Sequence, residues 1–261
     1  MNLPRPCLLA ALAAAAVAAR GLSAADLPQS PALSSIVPVA DLDGQVKFYL
    51  EELEECVQDE AEYRHATKRI DAKAVTKLEK KTHALAVLAL AVALHDQPSQ
   101  FKQAAPGLIK AAQDLAKAAD YPSARQGVER AKAALFSTGD SSSLKWMKVA
   151  AMAPLMGEVP LIHTRMKRDI RRFDRNIARL AGGSAAIAVI AHGSMPNADE
   201  TEKPDEVQKW YQYCIEMRDA AAAVNRAVHA KSLDAATEAM AALQKSCDDC
   251  HAVFHQDVVV E

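Results

Sequence analysis

The strongest constraint on the fold is the spacing of apolar residues, which recur at alternating steps of three and four over long stretches. Between Gly107 and Leu135 they fall on one stripe of a helix, and such a stripe is what a helix buries against its neighbours. Alanine is abundant, only nine residues are glycine, and aromatic residues make up 5% of the 261. This composition favours helix over sheet, so we predict an all-α protein.

A run of turn-forming residues over 137–143 predicts a boundary near the middle of the chain. The segment 107–135 aligns without gaps on 219–247, with the apolar positions in step. Duplication explains this alignment, although two unrelated Ala-rich amphipathic helices would also align in this way. We predict tandem antiparallel four-helix bundles, one over 41–136 and one over 143–261.

The second bundle is predicted to contain four helices with short connections. Pro154 and Pro160 should interrupt or kink the first helix, since proline lacks an N–H and clashes with the preceding turn. A loop over 194–204 and a tight break near Lys231 separate the later helices. The predicted helices are 143–175, 176–193, 206–230 and 232–254.

The first 25 residues have the pattern of a secretory signal peptide. Arg5 precedes an apolar stretch over 8–19, and small residues follow at 23–25. This pattern predicts export to the periplasm as a soluble protein, with an uncut membrane anchor as the alternative. Residues 26–40 contain three prolines and are predicted to form an extended linker.

Cys247, Cys250 and His251 form a C-x-x-C-H motif near the end of the last predicted helix. Positions three apart share one face of a helix, so both sulfurs can reach the same edge of a porphyrin and the following imidazole can coordinate the iron. The motif predicts one covalently bound haem c. Export agrees with this prediction, because covalent haem attachment takes place outside the cytoplasm.

Three other interpretations fit the motif less well. A thioredoxin-like thiol pair is expected at the start of a helix that follows a strand, not near the end of a helix. Zinc would need His255 as a fourth ligand, but the two ligand pairs lack the spacer that lets a chain fold around the metal. A disulfide between Cys247 and Cys250 would be strained on a helix.

The position of the motif, on the last helix of an Ala-rich four-helix unit and after a Ser232-Leu-Asp-Ala-Ala helix start, resembles the cytochrome c′ family and its low-spin relatives. The resemblance covers about 143–256. It implies a haem between the helices, His251 as the proximal ligand, and a distal position on the first helix. Met152, four residues after Lys148, matches the distal position, which in that family holds a Met or an apolar residue.

Met156 is the second candidate for the distal ligand, because the prolines leave the register of the first helix uncertain. His163 is a third candidate and would give a bis-His haem. For each Met, ordinary packing in the core is the alternative, since flexible Met side chains fill gaps well.

The first half lacks a thiol or imidazole at 135–139, the positions that align with the motif, so it is predicted to bind no covalent haem.

Cys56 and Cys214 are predicted to be free buried thiols, with a disulfide bridge between them as the alternative. A segment rich in arginine over 165–179 is predicted to be a solvated helix surface, or else a surface that contacts haem propionates or an acidic partner.

The predicted function is electron transfer by a single haem, without enzymatic activity, because no acid–base pair, nucleophile motif or phosphate loop stands out. A five-coordinate haem that binds NO or CO is the alternative, and a haem subunit of a larger redox enzyme is a third. We expect a redox partner protein, and the sequence leaves open whether two copies of the chain form a homodimer. Nucleic acid is excluded as a partner by the net charge of -2 and the few aromatic residues.

Overall fold

The computed structural model describes residues 27–71 and 74–255. Within these ranges the chain forms nine α-helices, with short 3-10 turns between some of them, and no β-strand. The predicted all-α fold is therefore confirmed, whereas the predicted signal peptide lies outside the described residues. The helices are α1 (Val39–Cys56), α2 (Glu60–Ala66), α3 (Lys77–Leu94), α4 (Ala105–Leu115), α5 (Tyr121–Ala134), α6 (Met152–Asp169), α7 (Ile177–Gly193), α8 (Val207–His229) and α9 (Leu233–Phe254).

The first half packs α1, α3, α4 and α5 against one another, with the short α2 at the end of α1. Helix α3 begins with a capping box, in which the Thr76 hydroxyl accepts from the Glu79 amide at 3.2 Å and the Glu79 carboxylate accepts from the Thr76 amide at 2.7 Å. This exchange satisfies two backbone donors that a helix start would otherwise leave unpaired. Asp120 caps α5 in a similar way.

The second half contains α6 to α9, and the last three of these helices agree closely with prediction. The backbone of Lys231 is left-handed, with φ of 52°, which produces the predicted tight break between α8 and α9. The Ser232 hydroxyl then accepts from the Ala235 amide at 3.3 Å and caps α9. This cap sets the register that places the C-x-x-C-H motif in the last turns of α9.

Helices α5 and α9 begin at Tyr121 and Leu233, which are equivalent positions in the predicted internal alignment. The central apolar positions of the aligned stripe are buried in both helices, although Leu233 is exposed. The alignment therefore identifies the buried face of each helix. The buried positions are Ala124, Val128 and Ala131 in α5, and Ala236, Met240 and Leu243 in α9.

Helices α3 and α7 pack against each other and join the two halves. Each is buried around nearly its whole circumference, from Ala84 to Ala93 in α3 and from Leu180 to Gly193 in α7. Helix α3 also packs on α6, and α1 packs on α7. The two predicted bundles therefore share one continuous apolar core.

Two predicted segments differ from the structure. The stretch predicted as an extended linker is packed, since Leu33, Ile36 and Val37 are buried and the Val37 carbonyl lies 3.1 Å from His95 Nε2. The first helix of the second half begins at Met152 rather than at residue 143.

The segment before Met152 stays non-helical because side chains from distant elements bind its backbone. His83 Nδ1 accepts from the Ala151 amide at 3.0 Å, and the Asn197 side chain donates to the Ala150 carbonyl at 2.9 Å. Pro154 then falls in the first turn of α6, where no intrahelical N–H is needed, so Pro160 is the proline inside this helix.

None of the helices in the described ranges is long and apolar enough to cross a lipid bilayer. Cys56 and Cys214 are buried and free, in agreement with the prediction for these two thiols.

Candidate functional site

A cleft between α6, α8 and α9 contains all three residues of the C-x-x-C-H motif. Helix α6 packs on α7 and α9 packs on α8, whereas α6 and α9 make little direct contact. The space between the walls is small, about 40 Å³, which is below the range of cofactor pockets, so α6, α8 and α9 would have to move apart to admit a haem. Cys247, Cys250 and His251 line the cleft from α9.

The two motif cysteines are free, partly buried thiols on one face of α9. Burial raises the pKa of Cys247 to about 11 and that of Cys250 to about 12, so both sulfurs carry their protons at neutral pH. A C-x-x-C pair that exchanges disulfides needs a lowered thiol pKa and a ready thiolate. The thioredoxin-like interpretation is therefore disfavoured by the environment as well as by the position on the helix.

His251 lies in the last turn of α9 with its Nδ1 atom buried and without a hydrogen-bond partner. Burial and the neighbouring His255 lower the pKa of His251, which favours the neutral ring that binds metals. The exposed His255 instead pairs with Glu202, with 2.7 Å between Nδ1 and Oε1. Among residues 27–71 and 74–255, no group of three or more His, Cys, Asp or Glu is arranged to hold a metal ion, so the zinc interpretation finds no support there.

The α6 wall of the cleft contains two of the three candidate distal ligands. Met156 and His163 line the cleft, together with Val159 and Pro160 between them. Met152, the first candidate, lies in the first turn of α6 and packs against an apolar cluster around Trp210 that also includes Cys250. Met152 itself is not among the residues that line the cleft, so the structure places only Met156 and His163 of the three candidates on its α6 wall.

His163 is nearly enclosed, with 6% of its surface exposed. Its Nε2 atom is buried without a hydrogen-bond partner, and the backbone of Met240 on α9 lies near the ring. Burial lowers the pKa of His163, and the nearby Lys167 lowers it further. A neutral imidazole with an unpaired nitrogen therefore lines the wall of α6.

Sequence reasoning missed the third wall, which α8 provides. Its residues follow helical steps of three and four, a spacing that could have identified this face from the sequence. The indole N–H of Trp210 lies 3.2 Å from the carbonyl oxygens of both Ser194 and Met195, which fixes the ring beside Phe254. The cleft-lining residues of α8 are Trp210, Tyr213, Cys214 and Met217.

The arginine-rich segment surrounds a separate cleft where α6 ends and α7 begins. Asp169 in this cleft lies 3.4 Å from Arg168 and 3.5 Å from Arg179. The cluster therefore has an excess of positive charge. The arginines that line it are Arg168, Arg171, Arg172, Arg175 and Arg179.

Comparisons with protein-family models, curated proteins and solved structures found no match to this chain. The resemblance to the cytochrome c′ family therefore rests on the motif and its helical setting alone. The side chains of the cleft match the chemistry of a covalent haem site, since the two motif thiols, two imidazoles and an apolar lining face one space.

Proposed function

We propose that this protein is a c-type cytochrome, which holds one haem covalently in the cleft between α6, α8 and α9 and carries electrons outside the cytoplasm. The observation that carries the proposal is that Cys247, Cys250 and His251 line one apolar cleft with a second imidazole, that of His163, on another wall. A bound haem would supply reversible one-electron chemistry.

Each motif residue has a distinct part in the proposal. Cys247 and Cys250 would hold the haem through thioether bonds to its two vinyl groups, and His251 would bind the iron. Tyr213 and Met217 line the cleft from α8 and would limit the access of water, which helps to set a reduction potential.

Electron transfer is favoured over gas binding because the wall opposite the motif contains potential iron ligands. Met156 and His163 line the cleft from α6, whereas a gas-binding haem needs an open sixth position. The proposal includes no enzymatic activity. Export is proposed from the predicted signal peptide.

The arginine cluster at the junction of α6 and α7 is the proposed docking surface for an acidic redox partner. Its positive charge would speed the encounter with a negatively charged surface, and high ionic strength would weaken that effect.

The test is to express the whole chain in cells that attach haem covalently, and to measure the mass of the purified protein and its pyridine haemochrome after acid–acetone extraction. We expect one haem to stay bound to the wild-type chain. Replacing both motif cysteines, Cys247→Ser with Cys250→Ser, should abolish covalent attachment.

Cys214→Ser is the matched control, since Cys214 lines the same cleft from α8 but lies outside the motif. This variant should retain its haem in full. A wild-type protein whose mass equals that of the polypeptide alone would refute the proposed function.

A further inference from the structure

We propose that His163 is the second axial ligand of the iron, opposite His251, so that the haem is six-coordinate with two imidazoles. This inference rests on the proposed function and specifies its metal site. It replaces Met152 and Met156, the candidates that the sequence pattern favours.

His163 has a buried ring nitrogen without a hydrogen-bond partner. Buried polar atoms in folded proteins are nearly always hydrogen-bonded or bound to a ligand, because an unsatisfied one costs about 1–3 kcal/mol. The Nε2 atom of His163 has no partner, and its side chain lines the same cleft as Cys247, Cys250 and His251. Coordination to iron would satisfy this atom.

The ring of His163 also lies close to a second helix. Histidines that bind metals almost always use the other ring nitrogen to donate to a carbonyl or carboxylate, which fixes the tautomer and the orientation of the ring. The backbone of Met240 on α9 is the group near enough to receive such a donation, since it partly offsets the lowering of the His163 pKa by burial and Lys167. His163 therefore lies next to the helix that carries the motif, while its Nε2 atom has no partner.

The competing methionines have no unpaired polar atom of this kind. Met156 lines the cleft and packs against the main core, whereas Met152 packs against the cluster around Trp210. A thioether sulfur is only a weak hydrogen-bond acceptor, so the packing of these side chains leaves no polar group that a metal would satisfy.

Two axial imidazoles would keep the iron low-spin in both oxidation states and leave no position for CO. Methionine as the sixth ligand raises the reduction potential of c-type cytochromes. A bis-imidazole haem is therefore expected to work at a lower potential than a Met-ligated one.

The experiment uses the full-length haem-loaded protein and records its optical and electron paramagnetic resonance spectra, with and without CO. The ferric wild-type protein should be low-spin without the weak red absorption band of Met-ligated ferric haem, and the ferrous protein should not bind CO. His163→Ala should lose the low-spin signal and gain CO binding, and added imidazole should restore the low-spin spectrum. His163→Met should stay low-spin and should gain the band of Met ligation.

Met152→Leu is the matched control, since Met152 does not line the cleft, and it should keep the wild-type spectra. Met156→Leu tests the competing ligand, and if His163 binds the iron this variant should stay low-spin and should not bind CO. A low-spin spectrum that survives in His163→Ala but is lost in Met156→Leu would overturn the assignment, as would Met-ligated bands or CO binding in the wild type. The haem content of each variant is measured separately by mass. Haem retained with an unexpected spectrum refutes only the ligand, whereas a wild-type chain without covalent haem refutes the proposed function and this inference together.

Discussion

Glu158 shows how a single buried charge fixes the position of α6. Its side chain is fully buried, and one carboxylate oxygen lies within 2.9 Å of the Lys81 ammonium and the Tyr49 hydroxyl and within 3.2 Å of Arg165. Lys81 also lies 3.1 Å from Glu52. A buried carboxylate is tolerable only when partners of this kind neutralise it.

Lys81→Met should therefore lower the free energy of unfolding by about 3 kcal/mol, because it leaves Glu158 buried with less compensating charge. The double variant Lys81→Met, Glu158→Leu should be more stable than the single variant, since it removes the unpaired charge as well. Chemical denaturation of the wild type, Lys81→Met, Glu158→Leu and the double variant gives the four free energies of a double-mutant cycle. If Lys81→Met and the double variant lose the same free energy of unfolding, this interpretation is contradicted.

At the scale of the helices, α3 and α7 come close together at Gly193. A Cβ atom added to Gly193 would lie 2.5 Å from Cγ1 of Val87, which is too close for two carbon atoms. The absence of a side chain at Gly193 therefore permits the close packing of α7 on α3.

Gly193→Ala should lower the free energy of unfolding by about 1–3 kcal/mol, because the added methyl group forces α7 away from α3. Gly44→Ala is the matched control, since Gly44 lies inside α1 with no atom within 4 Å of an added Cβ. It should raise the free energy of unfolding by about 0.5–1 kcal/mol, because alanine restricts the unfolded chain. Thermal and chemical unfolding of both variants measure the effects, and destabilisation of the same size in both would contradict the packing argument.

The sequence predicts those helices whose ends are determined locally. Helices α7, α8 and α9 lie close to their predicted bounds, since turn residues and the Ser232 cap mark their ends. The start of α6 could not be predicted, because the backbone of Ala150 and Ala151 is bound by Asn197 and His83, which are distant in sequence.

The same reasoning explains which parts of the candidate site were predicted. Cys247, Cys250 and His251 form a local motif, so the sequence was sufficient to identify them. The family resemblance favours Met152 from the local sequence that starts at Lys148, whereas the importance of His163 depends on a cleft that α8 and α9 complete. Contacts between helices are not encoded in the spacing of residues along one of them.

At the scale of the whole molecule, the two halves are expected to depend on each other for stability. Helix α7 is buried on all sides, in part by α1 and α3 of the first half. The fragment 143–261 should therefore expose a large apolar face when expressed alone.

We expect this fragment to lack cooperative thermal unfolding, as followed by circular dichroism, and to regain it on mixing with the fragment 27–142. A 27–142 fragment with Val87→Asp should fail to restore it, because Val87 is buried where α3 meets α7. A fragment 143–261 that unfolds alone at the temperature of the full chain would show that the halves are independent.

Two faces of helix α6 make contacts with different parts of the protein. One face places His163 in the cleft, while Glu158 on another face is bound by Lys81 and Tyr49 from the first half. The half without a motif thus holds in place the helix that carries His163. If the proposed function holds, changes at Tyr49 or Lys81, which do not line the cleft, are expected to alter the optical spectrum and the reduction potential of the haem-loaded protein.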